Sequence, residues 1–439
     1  MELLKNPDLI MGKDYSKRFL RKPNLSFRSC FSGREILFLV KNFSVTKFLR
    51  DDIEILSSTV KIFVLMIFIT SFSNTFAQYN ISFSGYVVDL PAYTYSTDKT
   101  SPLLQNENQL LNLTRLRLKP QIFLWPGARI NIEYELDAIF AKNVNTTELN
   151  QAAQNRQLFN MKWNISSGDR YNLSHYIDRL YFRQGFDWGN IIVGRQRISW
   201  GTGRIWNPTD LFNPINPADF SKIEKDGADA VSLTYFMGNF TDLNIVYNPQ
   251  DKFKKNNAAF RFRTNYETFD LALIGGYFDR RYVAGFDFAG NLWVAGIRGE
   301  GIISMDNNDL SKNYTKLVFG IDNQFTSKLY ALIEYQYNGE GITDKYSYDL
   351  NALAKGNIIN LNRNYLFISS NYLFTPLITG TISNNIDIND GSGFVNISCS
   401  YSLSGNSDLS LGSLITYGKE FTEYRYYQNS VYLQAELYF

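Results

Sequence analysis

The chain has 439 residues, 44% hydrophobic, 16% aromatic and 20% charged, with a formal net charge of +2. That length holds two or three ordinary soluble domains or one large barrel. A single histidine disfavours most zinc enzymes and Ser–His hydrolases, and beyond Ala77 acidic residues outnumber basic ones by three, which is not the profile of a nucleic-acid binder.

Residues 1–59 are mixed in charge and show no clear period. Residues 60–78 read VKIFVLMIFITSFSNTFAQ. Lys61 gives a basic start, and Ile62 to Ile69 form an apolar run too short to span a bilayer. Small residues, Thr75 and Ala77, then stand at the −3 and −1 positions of a cleavage site. This predicts a secretory signal over 60–77, an N-terminal extension over 1–59 and a mature domain over 78–439. A signal normally begins a chain, so the expected start of translation is Val60, read from a GTG codon; the alternative is a genuine cytoplasmic extension. Of the two cysteines, Cys30 and Cys399, only Cys399 falls in the mature domain, and no intramolecular disulfide is expected.

From Gln78 onward no apolar segment reaches the length of a membrane helix; alternation with period two recurs instead. RINIEYELDAIF, residues 129–140, places Arg129, Asn131, Glu133, Glu135 and Asp137 on one face. Ile130, Ile132, Tyr134, Leu136, Ala138 and Phe140 share the other. Strands are expected over 79–95, 110–126, 129–143, 175–187, 190–201, 228–239, 241–250, 256–268 and 269–278. They continue over 280–290, 292–305, 313–326, 329–341, 362–376, 378–390, 393–406, 409–423 and 429–439, about 18 in all, an even number.

Connections after even strands are short, as at 126–128, 187–189 and 405–407; those after odd strands are often long, as at 96–109, 144–174, 202–227 and 342–361. A soluble sandwich has no reason to sort its loops this way. The predicted fold class is all-β: a transmembrane antiparallel up-and-down barrel with short periplasmic turns and long extracellular loops, in the outer membrane of a Gram-negative bacterium. Its apolar faces are read as meeting lipid and its charged faces as lining the lumen. The chain ends SVYLQAELYF, alternating up to Phe439. A last strand ending in an aromatic residue resembles the signal read by the outer-membrane assembly machinery, an expected partner along with membrane lipid.

Alternation assigns Arg115, Arg117, Lys119, Arg179, Arg183, Arg195, Arg197, Arg261, Arg263, Arg298 and Lys316 to the basic side of the lumen. Glu133, Glu135, Asp137, Glu300, Asp322 and Glu334 form the acidic side. Facing charge arrays orient solutes and set ion preference. Neighbouring strands also pair such charges, as Arg115 and Arg117 with Glu133 and Glu135. Tyr181, Trp200, Trp206 and Tyr282 are candidates for a sugar-stacking track, although Trp125 and Tyr282 fit an interface girdle better. The acidic runs 306–309 and 387–390 have calcium-like composition but read as solvated turns. No cofactor, metal or catalytic residue is expected.

The most distinctive stretch is IIVGRQRISWGTGRIWNPTDLFNPINPADF, residues 191–220. A strand with Arg195 and Arg197 enters a loop with three Asn-Pro dipeptides, which forbid regular pairing. Such a loop can fold back and narrow the pore. In Gly194, Arg195, Gln196, Arg197, Trp200 and Gly201 the stretch resembles the alginate-export-type porins and related barrels of unassigned substrate. The resemblance implies passage of a solute or polysaccharide across the outer membrane. The alginate exporters have a strongly electropositive pore; here acids accompany the arginines.

The leading function is a passive channel for a small or oligomeric hydrophilic solute with a slight anion preference. The alternatives are a structural barrel plugged by its own side chains and loops, and a barrel enzyme using His175 with Ser174 or Asp178 near the rim. A transporter of apolar compounds would need an apolar lumen.

Overall fold

The computed structural model describes residues 80–95, 108–142, 156–212, 224–348 and 360–439, all within one compact unit, Ile62–Phe439. The expected signal, the N-terminal extension and Cys30 lie outside the described residues. Among the described residues there is no α-helix, only short 3-10 turns.

Eighteen antiparallel strands close into a barrel. The first is Ile81–Ser82 with Gly85–Tyr95, and the second Gln109–Leu118 with Gln121–Trp125, interrupted where Pro120 has no N–H to give the ladder. The third to ninth are Ala128–Lys142, Tyr171–Phe186, Gly189–Gln196, Ala228–Phe236, Asp242–Asn248, Asn257–Tyr266 and Phe269–Phe278. The tenth to fourteenth are Arg281–Leu292, Ala295–Asp306, Tyr314–Gln324, Leu329–Asn338 and Asn364–Thr375. Ile378–Asp387, Gly393–Ser404, Ser407–Tyr417 and Asn429–Tyr438 complete the wall. The last strand pairs with the first, from Tyr86↔Tyr438 to Tyr95↔Asn429. Gly85 and Phe439 exchange backbone hydrogen bonds of 2.9 and 3.0 Å, and Phe439 stacks on Phe83. Closure pairs the edges of the first and last strands.

Residues directly opposite on paired strands share a face. Val193, Val231, Ile245, Phe260, Phe286, Phe319 and Ile368 fall on the outer face and are exposed. The inner face holds the buried charges: Arg117, Glu135, Asp178, Glu300 and Glu334. Alternation therefore sorts the side chains as expected, and the two-residue turns, such as Trp293-Val294 with Trp293 at φ 54°, cluster at one end.

Three features depart from the expected strands. The fifth strand stops at Gln196, and residues 197–212 leave the wall. That departure strips the fourth strand of its neighbour above Leu180, and a strand not anticipated within 144–174, Lys162–Gly168, takes the vacated position, pairing with 171–176. Ile177 N–H continues the ladder to Met161 O at 3.0 Å. The seventeenth strand stops at Tyr417 instead of 423, and the segment after it also turns inward.

Candidate pore lining and constriction

The first four strands carry the densest charge. Arg115 Nε lies 2.7 Å from Glu135 Oε1 and donates to Asp137 Oδ1 at 2.8 Å. Arg117 donates to Glu133 at 2.7 Å, to Glu135 at 2.7 Å and to Asp178. Arg179 bonds Glu133 at 2.8 Å and Glu224 at 3.0 Å, and Lys119 also bonds Glu224. Burial alone would raise the Glu224 carboxyl; the hydrogen bond from Lys119 and the charges of Arg117, Lys119 and Arg179 outweigh it and hold the group below its ordinary value. Arg115, Arg117, Arg179, Glu133, Glu135 and Asp137 all sit on the inner face, with their charges spent on one another. Arg261 likewise bonds Asp287 at 2.9 Å, and Arg263 bonds Asp242 at 2.6 Å.

Arg183 is on the inner face too, directly opposite Arg129. Among the described residues neither has an ion-pair or hydrogen-bond partner, and the buried Arg129 Nε meets no acceptor. Arg129 shares the face of Glu133 and was legible by the same alternation, although it is not among the residues expected above to line the lumen.

Arg195 is a correction. It pairs in register with Leu180 and Asp229 and shares the face of Val193, which points outward. There it is 2% exposed. It bonds Asp229 at 2.8 and 3.0 Å, Ile177 O at 3.2 Å and Phe159 O, beneath the segment that replaces the fifth strand. The side chain fastens that segment to the wall and does not face the lumen. The stretch itself held the signal, since Ile191, Val193 and Arg195 are on one parity. Arg197, expected on a strand, lies beyond its end and is exposed.

Residues 197–212 fold into the barrel. Gln196 anchors the departure, donating to Ala230 O at 2.9 Å and accepting from Ser232 Oγ at 2.7 Å. Ile198, Trp200, Leu211 and Phe212 join the inward-facing Ala230, Val246, Ala259, Ile274 and Ile302 in one apolar cluster. Trp200 Nε1 donates to Asn244 at 3.2 Å, and its ring meets Phe212 edge-on. Trp206 packs with Val318, Leu332, Tyr365 and Phe367 in a second cluster. Gly203 N–H donates to Glu300 at 2.9 Å; the N–H groups of Arg204, Ile205 and Trp206 donate to Glu334 at 2.7, 3.0 and 2.9 Å. Gly201 has φ 90°, and a Cβ on it would sit 2.5 Å from Glu300 Oε2, so glycine is required at this close approach. The remainder of the expected 202–227 loop includes 213–223, which lie outside the described residues.

A second inward segment follows Tyr417. Tyr424 meets Phe394 edge-on and accepts from Asn385 Nδ2 at 2.9 Å. Burial, opposed by a hydrogen bond from Tyr365, pushes the Glu423 carboxyl up to about 8.

The expected stacking track does not assemble: Trp200 and Trp206 are buried anchors, Tyr181 faces inward, and Tyr282 and Trp125 are exposed on the outside. In the 306–309 turn the Asp306 and Asp309 carboxylates accept from the turn's own backbone. His175 lies between the tilted rings of Tyr134 and Trp163 on the outer face, while Asp178 is committed to Arg117 and Gly227.

No family model matches the chain, and no curated protein matches it. Solved structures do. OccK9 (OpdG) of Pseudomonas aeruginosa aligns with TM-score 0.53 at 10% identity, over 82% of this chain and 98% of that one. OccAB1 of Acinetobacter baumannii aligns with TM-score 0.50 at 12% identity, over 81% and 96%. OpdK of Pseudomonas aeruginosa, solved with vanillate, aligns with TM-score 0.50 at 10% identity, over 82% and 98%. The likeness is one of fold, a porin-type barrel, and the alginate-export resemblance rests on residues 191–220 alone.

Proposed function

We propose that the protein is an outer-membrane channel for passive passage of a small or oligomeric hydrophilic solute, with a slight anion preference. The carrying observation is a closed barrel with an apolar exterior, a charged and hydroxylated interior and a loop folded across that interior. An apolar outer face is suited to lipid and a polar inner face to water. Anion preference rests on Arg129 and Arg183, whose like charges oppose each other without a carboxylate among the described residues. The test is single-channel current in planar bilayers under a salt gradient. Discrete steps with an anion-shifted reversal potential are expected, and Arg129→Gln with Arg183→Gln should abolish the shift.

A plugged structural barrel is the second reading, favoured by the two apolar clusters that hold the loop inside the lumen. Silent bilayers from heat-modifiable, β-rich protein would select it.

A further inference from the structure

Glu300 and Glu334 are buried carboxylates held by the backbone of the constriction segment. They lie on the eleventh and thirteenth strands, 1% and 0% exposed, and neither has an ion-pair partner among the described residues. Arg298, two positions before Glu300, bonds Asp322 instead. Their charge is met by the constriction segment. Glu334 accepts three consecutive backbone N–H groups, from Arg204, Ile205 and Trp206. Glu300 accepts the N–H groups of Gly203 and Thr209 and the Thr209 hydroxyl. A buried carboxylate without donors is costly, and these donors belong to a segment that has left the wall. A Cβ at Gly203 would fall 2.0 Å from Trp206 O and 2.7 Å from Glu300 Oε1, so the tight curl over the carboxylates depends on glycine.

We propose that Glu300 and Glu334 are positioning residues that latch segment 203–209 to the inner wall and thereby set the bore. The latch is a statement about the loop; its effect on bore rests on the channel reading. A glutamine in place of Glu334 offers one acceptor oxygen to three N–H groups and brings an NH₂ among donors. Charge-assisted bonds are lost and the segment detaches.

Arg204 is exposed on the latched segment, which makes its peptide bond a reporter. The full-length protein isolated in detergent would be digested with trypsin, and cleavage after Arg204 followed by mass spectrometry. Glu334→Gln, and Glu300→Gln with Glu334→Gln, should be cut about tenfold faster or more, with heat-modifiable gel migration unchanged. In bilayers the same variants should show larger steps, and in liposome swelling they should admit larger sugars. If Glu334→Gln does not fold, Glu334→Asp, which keeps the charge but withdraws it by one methylene, should still be cut faster than wild type. Unchanged cleavage in folded variants would overturn the latch. Faster cleavage with a silent wild-type bilayer would keep the latch and remove the channel.

Discussion

The first four strands and the last five form two unlike walls. The former carry Arg115, Arg117, Arg179 and Lys119 against Glu133, Glu135, Asp137, Asp178 and Glu224. The five strands from Asn364 to Tyr438 contain no lysine or arginine. Their inner face carries Ser383, Asn396, Ser398, Ser400, Ser410 and Tyr432, with bonds such as Ser400 Oγ to Ser410 Oγ at 2.8 Å, and its charges are all carboxylates: Asp387, Asp408 and Glu436. The difference teaches that charge content and charge availability are separate quantities. On the first wall most cations are neutralised pairwise, and among the described residues of these strands pairing fails at Arg129 and Arg183. On the second wall a solute meets hydroxyls, amides and the carboxylates of Asp408 and Glu436, with no cation on the strands to pair them.

The comparison breaks hardest at Arg117. Replacing it with alanine removes one cation shared by Glu133, Glu135, Asp178 and Glu224, and should cost about 3–5 kcal/mol, the range for removing one partner of a buried ion pair. Thermal loss of the heat-modifiable band should move down accordingly. Arg195→Ala should cost about 2–5 kcal/mol for the same reason, yet leave the reversal potential where it was. A fall in selectivity would return Arg195 to the lumen.

Glu423, on the segment between the last two strands, supplies a pH test. Its docked carboxyl titrates near 8 against an ordinary 4.5, so the docked segment holds a proton that the free segment releases. Docking is then fully favoured below the ordinary value, weakens as pH rises between the two and is lost through about 8. Current flicker should increase from pH 6 to pH 9, and Glu423→Gln should flatten that dependence. The smallest effect belongs to the hydroxyl bonds of the second wall: Ser400→Ala should cost no more than about 1 kcal/mol by thermal denaturation. A loss comparable to Arg117→Ala would erase the distinction between the walls.

The alternation of 129–140 showed which side of the third strand is charged, and the same period located the eighteen strands, all but the fifth and seventeenth to within about four residues, because side-chain direction in a strand is a local property. It also placed Glu300 and Glu334 inward. It did not reveal Asp178, which a bulge opposite Glu133 and Tyr134 turns to the same side as Arg179. Nor did it reveal Glu224, which reaches Arg117, Lys119 and Arg179 from a distant loop. The end of the fifth strand at Gln196 was hidden as well, since ISWG continues an acceptable strand pattern until the interior offers Trp200 and the glycines a better place. By itself, then, the sequence determined the barrel, its two faces and its closure at Phe439. The tertiary structure decided which charges cancel, that Arg195 serves the wall, and that 197–212 lie inside, because those outcomes depend on which groups long-range pairing brings within bonding distance.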